Sequence, residues 1–155
     1  MATGAIKWFA DGLTNLGKGL VNLATDTLKL GIVTTATVPS LTTTDPRWGA
    51  GGTTNFSTNQ VGTGGGYTGP ITLASVTWAT VAGVCTLRAT DIAIAQNASG
   101  FTNGAYGILY SDTSAGKIAL GYIELSSGGT ANITTGSLTI DFQGAGTDVL
   151  TITPS

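Results

Sequence analysis

Apolar positions in the first two dozen residues recur at alternating steps of three and four. Ile6, Phe9, Leu13, Leu16, Leu20 and Leu23 therefore share one face at helical period, while Lys7, Asp11, Asn15, Lys18 and Asn22 lie mostly off it. The spacing predicts an amphipathic helix over residues 5–24. Gly12, Gly17 and Gly19 each weaken it by up to about 1 kcal/mol relative to alanine. Such a helix must gain its stability by packing, either on its own β-domain or on a neighbouring subunit. Thr25-Asp26-Thr27 breaks the pattern, and Leu28, Leu30 and Ile32 then alternate with Lys29, Gly31 and Val33 as a strand does.

Residues 34–70 show no period. They are rich in Thr, Gly and Asn, with Pro39, Pro46, Gly51-Gly52 and Gly64-Gly65-Gly66. Structureless connections beyond about 12–15 residues are uncommon in a domain and are usually functional or disordered. Trp48, Phe56 and Tyr67 are too many rings for a linker. The segment reads either as an extended arm pinned to a surface by those rings or as a loop folded over the domain's own core.

From Ile71 onward the pattern is that of strands. Ile71, Leu73, Val76 and Trp78 lead to Val84 and Leu87, then Ile92 and Ile94. Runs follow at 105–112, 117–125, 137–142 and 149–153, separated by turn signals at 97–104, 112–116, 126–129 and 144–148. The predicted fold is mainly β: an antiparallel β-sandwich or jelly-roll-like domain over residues 27–155, including the extended loop at 34–70, behind a helical arm at 1–26. The run 117–125 alternates Ile118, Leu120, Tyr122 and Glu124 with Ala119, Gly121, Ile123 and Leu125. It is apolar on both faces and so predicts a sheet covered on both sides, by a second sheet and by the arm or a partner.

Composition changes this picture in one respect. Only 9% of the 155 residues are charged, and the net charge is −2, against about 25% charged in ordinary domains. Free monomers usually keep a mixed, charged surface. A surface of Thr, Ser, Asn and Gly instead suits a chain covered by partners or packed in a lattice. Six scattered basic residues make no phosphate-neutralising stripe, so nucleic acid is not an expected partner. No stretch is long and apolar enough to span a bilayer, and Lys7, Asp11, Asn15 and Lys18 interrupt any signal-peptide core, so assembly in a cytoplasm is expected. The one cysteine, Cys85, closes no intrachain bridge and reads as a small buried hydrophobe.

Candidate chemistry is sparse. The chain has no histidine, which removes the commonest general base and the commonest metal ligand, and with them any Ser-His-Asp or Cys-His arrangement. Asp112 with Glu124, and Asp141 with Asp148, are the conceivable carboxylate pairs, but Asp112, Asp141 and Asp148 sit at turns, where Asp bonds the backbone. No calcium-loop series and no phosphate loop is present. No catalytic residue, cofactor or metal is expected.

Three segments remain: Thr25-Asp26-Thr27-Leu28-Lys29-Leu30 after the helix, Ile108-Leu109-Tyr110-Ser111-Asp112, and Ile118 to Ile123, followed by a final hairpin that opens on Leu138-Thr139-Ile140-Asp141-Phe142. In this order, with the helix before and the long loop between, they resemble a group of small virion proteins of tailed bacteriophages. The resemblance covers most of the chain outside residues 36–70. It implies a phage structural component, and within that class a capsid decoration (cement) protein, similar in size and β-sandwich character, on the capsid surface. The implied partners are the major capsid protein and further copies of the chain, as a dimer or trimer. The alternatives are a head-to-tail connector or tail component, and a carbohydrate-binding module stacking sugars on Trp48, Tyr67 or Trp78. Aromatics and Arg are the usual interface anchors, so the candidate partner contacts are Trp8, Phe9, Arg47, Trp48, Phe56 and Tyr67.

Overall fold

A computed structural model describes residues 6–81, 83–142 and 150–152. The described chain is mainly β, with one short helix and sheets that are antiparallel apart from one two-residue parallel pair, Pro46–Arg47 with Thr54–Asn55. Strand β1 (Lys7–Trp8) precedes helix α1 (Ala10–Gly17) and β2 (Leu28–Val33). Within the long connection lie β3 (Pro46–Arg47), β4 (Thr54–Asn55) and a 3₁₀ turn, Phe56–Asn59. Then come β5 (Ile71–Thr72), β6 (Thr77–Val81), β7 (Val84–Arg88), β8 (Ile92–Ile94), β9 (Tyr106–Ser111), β10 (Ala119–Glu124), β11 (Leu138–Ile140) and β12 (Leu150–Ile152).

The largest sheet runs β1-β10-β9-β2-β5, every neighbour antiparallel. Its central strands β10, β9 and β2 carry apolar residues on both faces, and both faces are covered by the chain itself. On one face Leu28, Leu30, Ile32, Leu109, Leu120 and Ile123 share a core with Leu87, Ile92, Ile94, Leu138 and Ile140. Those last five come from β7, β8 and β11, which lie in the smaller sheets β12-β7-β6 and β11-β8. On the other face Val33, Ile108, Tyr110, Ala119 and Tyr122 meet Phe9, Trp48 and Phe56.

Strict alternation fails in β10. Ala119 pairs with Tyr110 and Gly121 with Leu109, leaving Leu120 as an extra residue in a bulge. The bulge lets Ala119 and Tyr122, an odd number of residues apart, share a face, and it sends Leu120 and Tyr122 to opposite cores. It also re-aims the Leu120 carbonyl, which accepts the Phe9 N–H at 3.0 Å.

That bond anchors the N-terminal segment, and here the structure corrects the helix expected over 5–24. Lys7 and Trp8 are strand, facing Tyr122 and Gly121, so helical backbone begins only at Ala10. Gly12 is where the helix crosses the bulge, because a Cβ there would lie 2.7 Å from the Leu120 carbonyl oxygen. The helix ends at Gly17 in a Schellman motif: Leu20 N–H donates to Asn15 O and Gly19 N–H to Leu16 O, both at 3.0 Å, with Gly19 at φ +70°. Ile6, Phe9, Val21 and Leu23 pack this segment, over residues 6–26, on the chain's own β-domain.

The last two strands also differ from expectation. β11 pairs with β8 and β12 with β7, so the two belong to different sheets rather than to one hairpin. The loop expected at 144–148 lies outside the described residues.

Candidate partner-docking surface

The long connection is ordered by its rings and by short-range polar bonds. Trp48 lies parallel to Tyr110, with ring centroids 5.2 Å apart and planes at 8°. It lies flat over Gly31, where a Cβ would overlap the indole. Phe56 stacks on Phe9 at 5.7 Å, and Phe9 in turn contacts Tyr122 at 5.4 Å. Asn55 caps the 3₁₀ turn by accepting the Ser57 N–H at 3.0 Å. Tyr67 is fully buried edge-on to Phe101, and its hydroxyl oxygen accepts the Ile32 N–H at 3.0 Å. Burial pushes its phenol up to about 12, although the Ile32 N–H pulls the other way. Of the two readings of residues 34–70, the structure takes the loop folded over its own core.

This places the candidate partner contacts. Phe9, Trp48, Phe56 and Tyr67 are buried, and packing within the chain accounts for all four. Arg47 is turned inward: its Nε lies 2.8 Å from Asp45 Oδ1, and one terminal nitrogen donates to the Ala115 carbonyl at 2.7 Å. Trp8 is half-buried against the main core. The structure does not gather the six onto one exposed face.

The two motifs that flank the long loop do meet. β2 and β9 are neighbours, with Lys29 opposite Tyr110. Asp26 Oδ2 accepts the Ser111 hydroxyl at 2.7 Å, Asp112 N–H donates to Thr27 O at 2.8 Å, and Thr27 N–H donates to Thr113 Oγ1 at 2.9 Å. Asp112 lies 2.8 Å from Lys29 and 2.9 Å from Lys117, and those two ammonium groups hold its carboxyl below the usual range. The polar residues of both motifs thus weld one corner of the sheet. Glu124 sits at the far end of the same ladder, paired with Lys7 at 2.6 Å, so it does not converge with Asp112. Among the described residues no three His, Cys, Asp or Glu side chains cluster to hold a metal, and no helix is long and apolar enough to cross a membrane.

One open surface is apolar. A groove of about 530 Å³ runs beside α1, lined by Leu13, Leu16, Val21, Leu23 and Trp78, with Gly17, Gly19 and Asn22 at its edge. Leu13 is 43% exposed, and Leu20, just past the end of the helix, is 54% exposed. Leu20 occupies the position after the Schellman glycine, where an apolar side chain usually packs back on the third-last helical residue. That residue is Asn15, so Leu20 has no apolar partner there. The leucine stripe was visible in the sequence, but its role as a groove depends on the helix stopping at Gly17. Leu41 and Val38 are also exposed, and Leu41 O accepts the Ala10 N–H at 2.9 Å, which puts it at the start of the same helix. Comparison with protein-family models, with curated proteins and with solved structures finds no significant match.

Proposed function

We propose that this chain is a structural protein of a tailed-phage virion, a decoration protein that docks on the shell of major capsid protein and reinforces the head. The observation that carries the reading is the apolar groove beside α1, with Leu13 and Leu20 exposed on a chain that is only 9% charged. Exposed apolar surface in a near-uncharged protein is costly in free solution and favourable once covered. The fold reading that goes with it is a β-sandwich of jelly-roll type, the five-stranded sheet packing through its Leu30 and Leu109 face on the smaller sheets. The resemblance of the segments 25–30 and 108–112 to phage virion proteins supports the same class.

The test compares purified virions made with and without the gene. Loss of surface density and lower resistance of the head to heat or chelation are expected. Unchanged density and resistance overturn the reading. Copy number then separates head from connector or tail: hundreds of copies per particle fit the shell, and a single ring fits the neck. A Leu13→Asp/Leu20→Asp chain should keep its fold and lose shell binding at least about tenfold, the loss of two buried leucines at an interface. The sugar-binding alternative is reduced to Trp78, since Trp48 and Tyr67 are buried.

A further inference from the structure

The small sheet runs β12-β7-β6 and stops at β6, and among the described residues no strand pairs with the outer edge of β6. Sheet edges display unpaired N–H and C=O groups and template pairing with another chain. Native proteins block them with charge, proline or bulges. β6 reads Thr77-Trp78-Ala79-Thr80-Val81 and carries none of the first two. It pairs with β7 in unbroken register from Thr77–Arg88 to Val81–Val84, so it carries no bulge either.

Which groups face outward follows from the ladder. The Ala79 carbonyl accepts the Thr86 hydroxyl at 3.3 Å, so Ala79 turns its main chain toward β7. Antiparallel ladders alternate, and the neighbours Trp78 and Thr80 therefore present their N–H and C=O groups to the open edge.

We infer that β6 is the seam through which two copies of this chain join, antiparallel, about a two-fold axis at Ala79. In that register Trp78 faces Thr80 of the second copy and Thr80 faces its Trp78. Each of these pairs exchanges two main-chain hydrogen bonds, and together they use every outward group of both residues. Ala79 then faces its own equivalent in a wide pair, where Cα atoms approach to about 4.5 Å and side chains come closest. The smallest side chain of the strand stands at that position. With no charge in the strand, the symmetric pair sets no like charges against each other. Trp78 also lines the groove beside α1, so pairing at β6 places the second copy beside exposed apolar surface. Main-chain bonds and apolar area are the two ingredients of strand addition. The inference deepens the oligomeric part of the proposed function and does not depend on the shell being the partner.

Ala79 is exposed on the outer face, so a charge there leaves the monomer fold intact. Sedimentation velocity on the full chain should show a dimer. Ala79→Glu and Ala79→Lys should each weaken self-association by about tenfold or more, because like charges meet at the axis. Mixing the two variants should restore dimers of one Glu and one Lys copy by native mass spectrometry. A monomeric wild type, a dimer indifferent to Ala79→Glu, or variants that fail to pair with each other overturns the inference. So does loss of fold in both variants by circular dichroism, which would mean that residue 79 is not on an open edge. Virion binding is scored separately. A wild-type chain that is monomeric alone but binds shells through β6, with Ala79→Glu abolishing that binding, would assign the edge to the shell protein and against the self-pair.

Discussion

At Tyr67 two opposing influences act on one hydroxyl. Its oxygen accepts the Ile32 N–H, a donor on β2 beyond the reach of the two-residue strand β5. That bond favours the phenolate, burial disfavours it, and burial wins, leaving the phenol at about 12. The folded value is raised above the ordinary 10, so the neutral ring's contribution to stability is fully present below pH 10. It is lost as pH rises toward 12, at no more than about 1.4 kcal/mol per pH unit. Urea midpoints measured from pH 9 to 12 should therefore fall more steeply for wild type than for Tyr67→Phe. At neutral pH the same variant should be less stable by about 1–3 kcal/mol, the usual penalty for leaving a buried N–H unpaired. Parallel alkaline slopes in the two proteins would remove this account. Tyr110 is raised as well, first by burial, then by Asp112 and then by Tyr67 itself, so the difference in slope reads the loss of the Tyr67 hydroxyl together with its smaller effect on Tyr110.

Among the elements, α1 shows how local and tertiary demands divide a single apolar stripe. Spacing alone makes Ile6 to Leu23 one helix. Strand pairing with β10 claims Lys7–Trp8 at one end, and the left-handed Gly19 stops the helix at the other. The glycines that weaken the helix in sequence terms have separate jobs. Gly12 allows close approach to the β10 bulge, Gly19 supplies the positive φ, and Gly17 is in open space. Gly17→Ala should thus stabilise the protein by up to about 1 kcal/mol through helix propensity, whereas Gly19→Ala should destabilise it by about 1–2 kcal/mol through the left-handed backbone. Thermal midpoints that shift the same way for both would contradict the Schellman ending. β2 and the strands from β5 to β12 were legible because half or more of each strand is apolar at a period of two. β1, β3, β4 and the Phe56–Asn59 turn were not. They are two to four residues long and held by single rings, an Asx cap and a bulge carbonyl, none of which leaves a period to read.

For the molecule as a whole, the apolar run from Ile118 to Ile123 announced a doubly covered sheet, but sequence could not say whose atoms cover the second face. The cover is Phe9, Trp48 and Phe56 of the same chain. Three of the six anchors chosen by residue type form this cover and Tyr67 joins the opposite core, because a large ring on an aperiodic segment looks the same whether it seals its own sheet or a neighbour's. The surface left over includes Leu13 and Leu20, which the helical stripe had assigned to packing, while Trp78 packs partly buried against the main core and lines the groove's edge. The cover can be tested through Arg47, the sole trypsin site within residues 34–70. Its side chain is tied to Asp45 and Ala115, and the next N–H, that of Trp48, donates to Lys117 O at 2.9 Å. In the native chain this bond should resist trypsin, because cleavage requires local opening. Phe56→Ala removes the ring stacked on Phe9 and should cost about 3–5 kcal/mol, within the 5–15 kcal/mol or so that a domain of this size has to lose. The loss falls on the cover, so cutting after Arg47 should become at least about tenfold faster than in wild type, while cutting at the already exposed Lys18 should not change. Cuts after Lys29 and Arg88, on β2 and β7, should come later. Leu13→Ala, a change at an exposed site, should leave the pattern alone. Simultaneous cutting at all sites in Phe56→Ala would mean that the cover and the sheets open as one unit, and an unchanged rate after Arg47 would mean that Phe56 does not hold the segment down.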